Sequence, residues 1–298
     1  MMKRSFLPLA ISACLSLMAC DDGGDSNDAT GSASGETAGD GDGDGDGETG
    51  DGDGAPIDTD GDGLTDEEEA ELGTDPTKKD TDDDNYWDSW EVNEGTDPLD
   101  PSSRIYTAYW PYNANKDEMD PGGWNAVGKF AGSRFPRDVF LDQQGEYVDN
   151  YDFLEFTNVN GNPTYMIVDL SAVWCGPCHN VADWIAKGNN PDLENMYPTV
   201  RGKVHDVEVL WLTYLIENNS GGPPGLSDSQ TWAQQHYDPY VPILVDENQN
   251  VAAAYGVGSI PHFFLLGPDG LLEYFPNDAD SSNSNWYPAV GLIDANDF

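Results

Sequence analysis

Apolar positions divide the chain into four zones. Residues 6–19 form a single apolar run behind Lys3 and Arg4. Residues 21–56 are Asp, Gly, Ser, Thr and Glu with almost nothing apolar. Residues 57–103 set isolated apolar side chains among acids. From Arg104 onward aromatic and β-branched residues become frequent and periodic.

The last zone predicts most of the regular structure. The apolar, β-branched run Met166, Ile167 and Val168 predicts a strand over 166–170. Val181, Trp184 and Ile185 have helical spacing, and Gly188 is the stop. Residues 192–200 predict a second helix. Residues 207–216 predict a central strand, with 209–212 buried on both faces. A Gly/Pro loop at 220–228 follows that strand, where α/β folds place function. Residues 232–236 and 251–255 read as short helices and 241–245 as a short strand. Residues 261–266 and 271–275 form a hairpin across Gly267-Pro268-Asp269-Gly270. A second hairpin joins 135–140 to 146–148 around Asp142-Gln-Gln-Gly145. Residues 286–293 predict a closing helix. The 195 residues from 104 to 298 suffice for one substantial core.

The strand at 166–170 leads into Ser171-Ala172-Val173-Trp174-Cys175-Gly176-Pro177-Cys178-His179. This sets a dithiol on the first turn of a helix. There the N–H groups lack helical partners and the dipole places partial positive charge. A thiolate at Cys175 is stabilised, its pKa falls, and it becomes a nucleophile. Cys178 lies within bonding reach, so a mixed disulfide on Cys175 is resolved inside the same protein. Pro177 suits an early helical position, where its missing N–H needs no partner. Cys-x-x-Cys-His is also the attachment motif of c-type haem. The preceding strand, the Trp and the Pro speak against haem. A zinc site wants about four ligands, and after Cys20 the only cysteines are Cys175 and Cys178. A purely structural bridge closing so short a loop would stabilise weakly.

At these residues the chain resembles the thioredoxin superfamily. Trp174-Cys175-Gly176-Pro177-Cys178 matches the active-site sequence of thioredoxins. Asp169 stands six residues before Cys175, where thioredoxins carry a buried acid that assists proton transfer. Gly256-Val257-Gly258-Ser259-Ile260-Pro261-His262-Phe263-Phe264 is similar to their cis-proline loop and the next strand. The resemblance implies an α/β, thioredoxin-like fold over 104–298, with a central mixed sheet flanked by helices. It implies catalytic roles for Cys175, Cys178 and Asp169. Trp174, Gly176, Pro177, Ile260 and Pro261 would meet the substrate. Protein thiols or disulfides would be the substrates, with an upstream redox partner. The elements between 135 and 154 resemble the N-terminal extension of the TlpA/ResA-like and peroxiredoxin-like branch. His179 reads as a solvent-facing helix residue, the other reading being support of the Cys175 thiolate. His262 sits near the site or packs in its strand.

The first zone has the build of a secretory signal: basic start, short apolar core, small residues before a break. It is too short to span a membrane. Leu17-Met18-Ala19-Cys20 resembles a bacterial lipoprotein box. The resemblance implies a signal peptide over 1–19, lipidation at Cys20 and a membrane anchor in the cell envelope. Residues 20–56 then form a disordered Asp/Gly-rich tether, unable to bury enough surface to offset its ordering entropy.

Residues 57–103 contain a duplicated acidic motif. Asp58, Asp60, Asp62, Asp66 and Glu69 occupy positions 1, 3, 5, 9 and 12 of a loop whose sixth residue is Gly63. Asp80, Asp82, Asp84, Asp88 and Glu91 repeat the pattern 22 residues later, with Asn85 at the turn. Asn tolerates the left-handed conformation better than most residues. Leu64 and Tyr86 take the seventh position, which ligates through its carbonyl. Gly-Thr-Asp-Pro recurs at the same offset, beginning at Gly73 and Gly95. The punctuation resembles thrombospondin type-3 repeats, which implies Ca²⁺ as cofactor. A dockerin-like pair fits the punctuation less well. Oxygen ligands at this density favour Ca²⁺ over transition metals, and the expected role is a calcium-stiffened stalk.

The net charge is −44, and 30 of the 56 acidic residues lie between Cys20 and Pro101. That charge repels nucleic acid and anionic surfaces, so a nucleic-acid partner is disfavoured. The resulting expectation is an envelope thiol-disulfide oxidoreductase that reduces protein disulfides. A thiol oxidase of the same fold is the alternative, as is a non-enzymatic, calcium-dependent surface adhesion protein.

Overall fold

A computed structural model describes residues 56–157, 161–255, 259–276 and 287–296. The expected signal peptide, Cys20 and most of the tether lie outside the described residues. So do Gly256, Val257, Gly258 and Trp286. Among the described residues no helix is long and apolar enough to cross a membrane.

Two seven-residue helices open the described chain, α1 (Asp66–Leu72) and α2 (Asp88–Glu94). Thr65 caps α1, and Glu68 reaches back to the Thr65 N–H in a capping box. Gly73 and Gly95 end the two helices with φ of 91° and 82°, where a side chain would be strained. The copies join through Ser89, whose N–H and hydroxyl donate to the Asp62 carboxylate and carbonyl at 3.0 and 2.7 Å.

A seven-stranded sheet follows. Its strands are β1 (Val139–Leu141), β2 (Tyr147–Asp149), β3 (Tyr165–Ala172), β4 (Val209–Glu217), β5 (Ile243–Val245), β6 (His262–Leu266) and β7 (Leu272–Tyr274). They lie in the order β2-β1-β5-β4-β3-β6-β7. β3 pairs parallel with β4 and antiparallel with β6, so the sheet is mixed. The helices are α3 (Gly176–Lys187), α4 (Pro191–Met196), α5 (Val200–His205), α6 (Leu226–Gln235), α7 (Asn250–Tyr255) and α8 (Pro288–Ala295). This is the α/β arrangement that the sequence resemblance implies.

Alternation along β3 fills two cores. Met166, Val168 and Leu170 pack with Leu212, Tyr214, Phe264 and the aromatic residues of the segment before the sheet. Ile167 packs on the other face with Cys178, Val181, Trp184, Trp211, Phe263 and Ile293. Both hairpins form where the turn residues predict them. Three expectations change. The helix expected over 192–200 is two helices, because Pro198 interrupts the hydrogen-bond ladder between α4 and α5. α6 begins at Leu226 and absorbs the end of the expected loop, because Asp228 accepts the Gly225 N–H and caps it. β4 begins at Val209, since Val207 turns the chain with φ of 56°.

The repeats share a core with the sheet. Gly54–Phe298 is one compact unit. Tyr86, the seventh residue of the second loop, is 3% exposed and belongs to the first core. Its hydroxyl donates to the Trp110 carbonyl at 2.7 Å. Trp110 in turn donates to Asp142 in the β1–β2 turn at 2.9 Å. Arg104 pairs with Asp84 at 3.6 Å.

Tyr86→Phe removes the hydroxyl donor from a buried carbonyl. It should lower the unfolding free energy of the full chain by about 1 kcal/mol. Urea titration followed by tryptophan fluorescence reads the change. An unchanged midpoint would mean that the repeats melt apart from the sheet.

Candidate active site

β3 ends at Ala172, and Cys175 is the N-cap of α3. The Cys178 N–H donates to Cys175 Sγ at 3.2 Å, and the His179 N–H donates to the Cys175 carbonyl at 3.2 Å. The two sulfurs are bonded at 2.08 Å. Cys175 is 2% exposed and Cys178 fully buried, whereas Gly176 and Pro177 are exposed. Trp174 is 53% exposed beside them, its indole N–H donating to Glu217 at 2.8 Å. Gly176, Pro177 and Trp174 thus present an open surface around a sunken disulfide.

Asp169 lies on the same face of β3 as Ile167, the face that packs under Cys175 and Cys178. It is buried. Its carboxylate accepts from Ser171 Oγ at 2.7 Å, Trp211 Nε1 at 3.3 Å and Thr213 Oγ1 at 3.4 Å. Burial outweighs these neutral donors and pushes its pKa up to about 7. An acid so placed takes up and releases a proton near neutrality.

The Ile260–Pro261 peptide bond is cis. β6 follows it, with His262 opposite Leu170. This register carries Pro261 and the half-buried Ile260 to the end of β3 that bears the dithiol. His262 pairs with Leu170 on the opposite face, against Phe275 at 5.1 Å. Burial, helped by the Lys129 charge, pulls its pKa down to about 4. Of its two readings, packing in the strand is the one observed.

Each acidic loop gathers carboxylates. In Asp58, Asp60 and Asp62, and again in Asp80, Asp82 and Asp84, oxygens lie within 4.8 Å of one another. Gly63 and Asn85 turn the loops with φ of 112° and 82°. Glu69 and Glu91 are fully buried, with both oxygens of Glu69 and Oε2 of Glu91 lacking a hydrogen-bond donor. Asp60 Oδ2 and Asp82 Oδ2 are likewise buried and unpartnered. Burial, then neighbouring carboxylates, pushes Glu69 up to about 7 and Asp82 up to about 6. Glu91 also reaches about 7, through burial opposed by the Thr96 hydroxyl and reinforced by nearby acids. Acceptors without donors fit a hard divalent cation. Asp66 and Asp88 are placed differently: each accepts the N–H and hydroxyl of a threonine, Thr59 or Thr81, at 2.7–2.9 Å.

Residues 58–79 and 80–101 each match the bacterial TSP3 repeat family. The thiol-disulfide oxidoreductase ResA of Bacillus thuringiensis (strain Al Hakam) is 24% identical over 169 residues, spanning 55% of this chain and 74% of that protein. ResA of Bacillus anthracis matches with the same identity and coverage, 24%, 55% and 74%. The thioredoxin domain of a thiol-disulfide oxidoreductase from Bacteroides vulgatus aligns at 16% identity with a TM-score of 0.37, covering 56% of this chain and 99% of that one. The fold is that of the thioredoxin-like thiol-disulfide oxidoreductases.

In this thioredoxin-like domain several residues near the dithiol escaped the sequence reading. Thr213 and Trp211 reach Asp169 from β4, and only the β3–β4 register brings them there. His179 is half-buried and hydrogen-bonded, not solvent-facing: its ring stacks on Trp232 of α6 at 4.4 Å and meets His236, the residue that ends that helix. The one local signal was the Asp183–Lys187 pair, four residues apart on α3.

The raised Asp169 pKa has a stability consequence. The folded protein holds this proton where the unfolded chain has released it. Stability from this group is full below about pH 4 and is lost as pH rises toward 7. Asp169→Asn should therefore gain on the wild type across that window, by up to roughly 4 kcal/mol. Denaturant titrations of the oxidised protein at intervals from about pH 4 to about pH 8 measure it. A pH-independent difference would remove Asp169 from the titration.

Proposed function

We propose that the chain is a cell-envelope thiol-disulfide oxidoreductase that reduces disulfides of protein substrates. The observation that carries this reading is the Cys175–Cys178 disulfide at the N-terminus of α3, with Asp169 buried on the same face. In the reduced enzyme the Cys175 thiolate attacks one sulfur of the substrate disulfide. The other substrate sulfur leaves as a thiolate and takes a proton. The Cys178 thiol gives its proton to Asp169 and attacks Cys175 Sγ, and the second substrate sulfur departs. Two electrons pass to the substrate, and the enzyme is left with the disulfide. An upstream dithiol partner restores it. Trp174, Gly176, Pro177, Ile260 and Pro261 form the surface on which a peptide lies.

The reduction potential of the full chain, set in thiol–disulfide buffers and read by thiol labelling, tests the direction. A value near thioredoxin's, about −270 mV, supports a reductase. A value near about −120 mV would make the same pair an oxidant of substrate thiols. A pair that never titrates would leave the fold as a binding platform.

The two acidic loops bind Ca²⁺ in this reading. Asp58, Asp60, Asp62, the Leu64 carbonyl and Glu69 hold the first ion, with Asp66 at the ninth position. Asp80, Asp82, Asp84, the Tyr86 carbonyl and Glu91 hold the second, with Asp88 at the ninth. The ion supplies charge neutralisation and rigidity, not chemistry on the substrate. The buried, unpartnered oxygens of Glu69 and Glu91 support this. Lipidation at Cys20 anchors the chain to the envelope membrane, a reading that rests on the sequence from Met1 to Cys20.

At a hundredfold excess over Kd, calcium should stabilise the chain by about 2.7 kcal/mol per site. Thermal melts in calcium and in EDTA measure it. Identical Tm values would rule out calcium as the ion of these loops.

A further inference from the structure

His179 directly follows Cys178, in the first turns of α3. Its Nε2 lies 2.9 Å from the Val173 carbonyl, two residues before Cys175. Its Nδ1 lies 2.6 Å from His236 Nε2. His236 Nδ1 lies 2.7 Å from Asp183 Oδ1, one further turn along α3. Lys187 donates to the same Asp183 oxygen at 2.7 Å. Trp232 of α6 is buried beneath the His179 ring.

The chemistry of these contacts sets a proton count. A carbonyl only accepts, so His179 Nε2 carries hydrogen. Burial would raise the Asp183 pKa, but hydrogen bonds from Lys187 and His236 hold it below the ordinary carboxylate range. Asp183 is therefore an acceptor, and His236 Nδ1 carries hydrogen. The ring-to-ring contact needs one hydrogen between its two nitrogens. Three protons on two imidazoles make a single positive charge. Two neutral rings would hold only two protons and leave one contact with lone pair against lone pair.

We propose that His179, His236 and Asp183 form a proton-sharing relay whose one positive charge stabilises the Cys175 thiolate. This rests on the redox reading of the Cys175–Cys178 pair. Cys175 caps α3 and the His179 N–H donates to its carbonyl at 3.2 Å, which sets His179 in the first turn directly behind the dithiol. His179 acts by its charge. His236 and Asp183 are positioning residues that hold that charge in place. Among the described residues, the charged groups of the neighbouring elements have partners of their own or belong to the relay. Lys187 of α3 holds Asp183 and the Gln235 carbonyl. Glu217, at the end of β4, accepts from Trp174. Asp238, after α6, pairs with His205 of α5 at 2.9 Å. Asp169 lies under the dithiol, held by Ser171, Trp211 and Thr213.

Burial pulls His236 below the ordinary histidine range, the neighbouring Asp183 opposes the pull, and the His179 and Lys187 charges add to it. The third proton therefore leaves as pH rises, and the support for the thiolate leaves with it. Because the thiolate in turn favours the cation, the thiol and the relay titrate as one coupled system.

Two measurements on the full chain test the relay. In the first, ¹⁵N spectra of labelled histidine follow the rings of the reduced protein through pH. The expected result is one proton shared by the His179 and His236 rings at the acid end and lost together as pH rises. Two neutral rings throughout would overturn the relay, and this result needs no variant. In the second, thiolate absorbance against pH reads Cys175 in the wild type, Asp183→Asn and Asp183→Glu. Asp183→Asn should cut the thiolate-to-thiol ratio about tenfold at a given pH, and Asp183→Glu should largely restore it. A pair that reduces normally with the same titration in Asp183→Asn would overturn the relay alone. A pair that cannot be reduced in the wild type would overturn the redox reading and the relay together.

Discussion

The hydrogen bonds that tie β3 to β4 on one side and to β6 on the other leave it no free edge. Cores on both faces leave it no free surface either. Such a strand can contribute chemistry only at its end, or through a polar residue placed inside. This one does both. Its end delivers Cys175 to the N-terminus of α3, where the Cys178 N–H donates to its sulfur and the helix dipole adds partial positive charge. Its interior places Asp169 beneath the same helix. The antiparallel partner β6 brings the Ile260–Pro261 loop to the same end.

Buried acids run through the molecule, and each meets its desolvation cost differently. Asp142 is fully buried, but three N–H groups of its own turn and the Trp110 indole donate to it. Asp152 is paired with Lys116 at 2.9 Å and accepts from the Tyr106 hydroxyl and the Asn113 N–H. Asp169 has only neutral donors, so its charge stays costly and its proton stays exchangeable. Glu69 has no donor at all among the described residues. The progression runs from acids met by several donors, through one met only by neutral groups, to one met by none.

The repeats are more than an appendage to the sheet. Tyr86 reaches from the second acidic loop into the aromatic core, and Arg104 reaches back to Asp84. Trp90 packs against Tyr112 at 5.4 Å along the same seam. Whatever orders the second loop therefore also orders the segment covering the first core of the thioredoxin-like domain. An ion held there would act on the stability of the redox domain through packing, at a distance from the dithiol.

Local chemistry determined a large part of this protein in its sequence alone. The dithiol, the strand before it and the helix after it are contiguous, and the two acidic loops repeat at a fixed offset. Both features need only neighbours along the chain, so residue type and spacing suffice to find them. Helix breaks and starts were less legible, since Pro198 and the Asp228 cap outweigh apolar spacing. Two of the three donors to Asp169 come from β4, and His179 meets Trp232 of α6 and His236 just after it. The seat of Tyr86 comes from residues about twenty positions away or more. Those contacts depend on strand register and helix packing, which bring together side chains whose spacing carries no signal. The sequence determined where the sulfur chemistry resides. The tertiary structure alone decided which charged and titratable groups surround it.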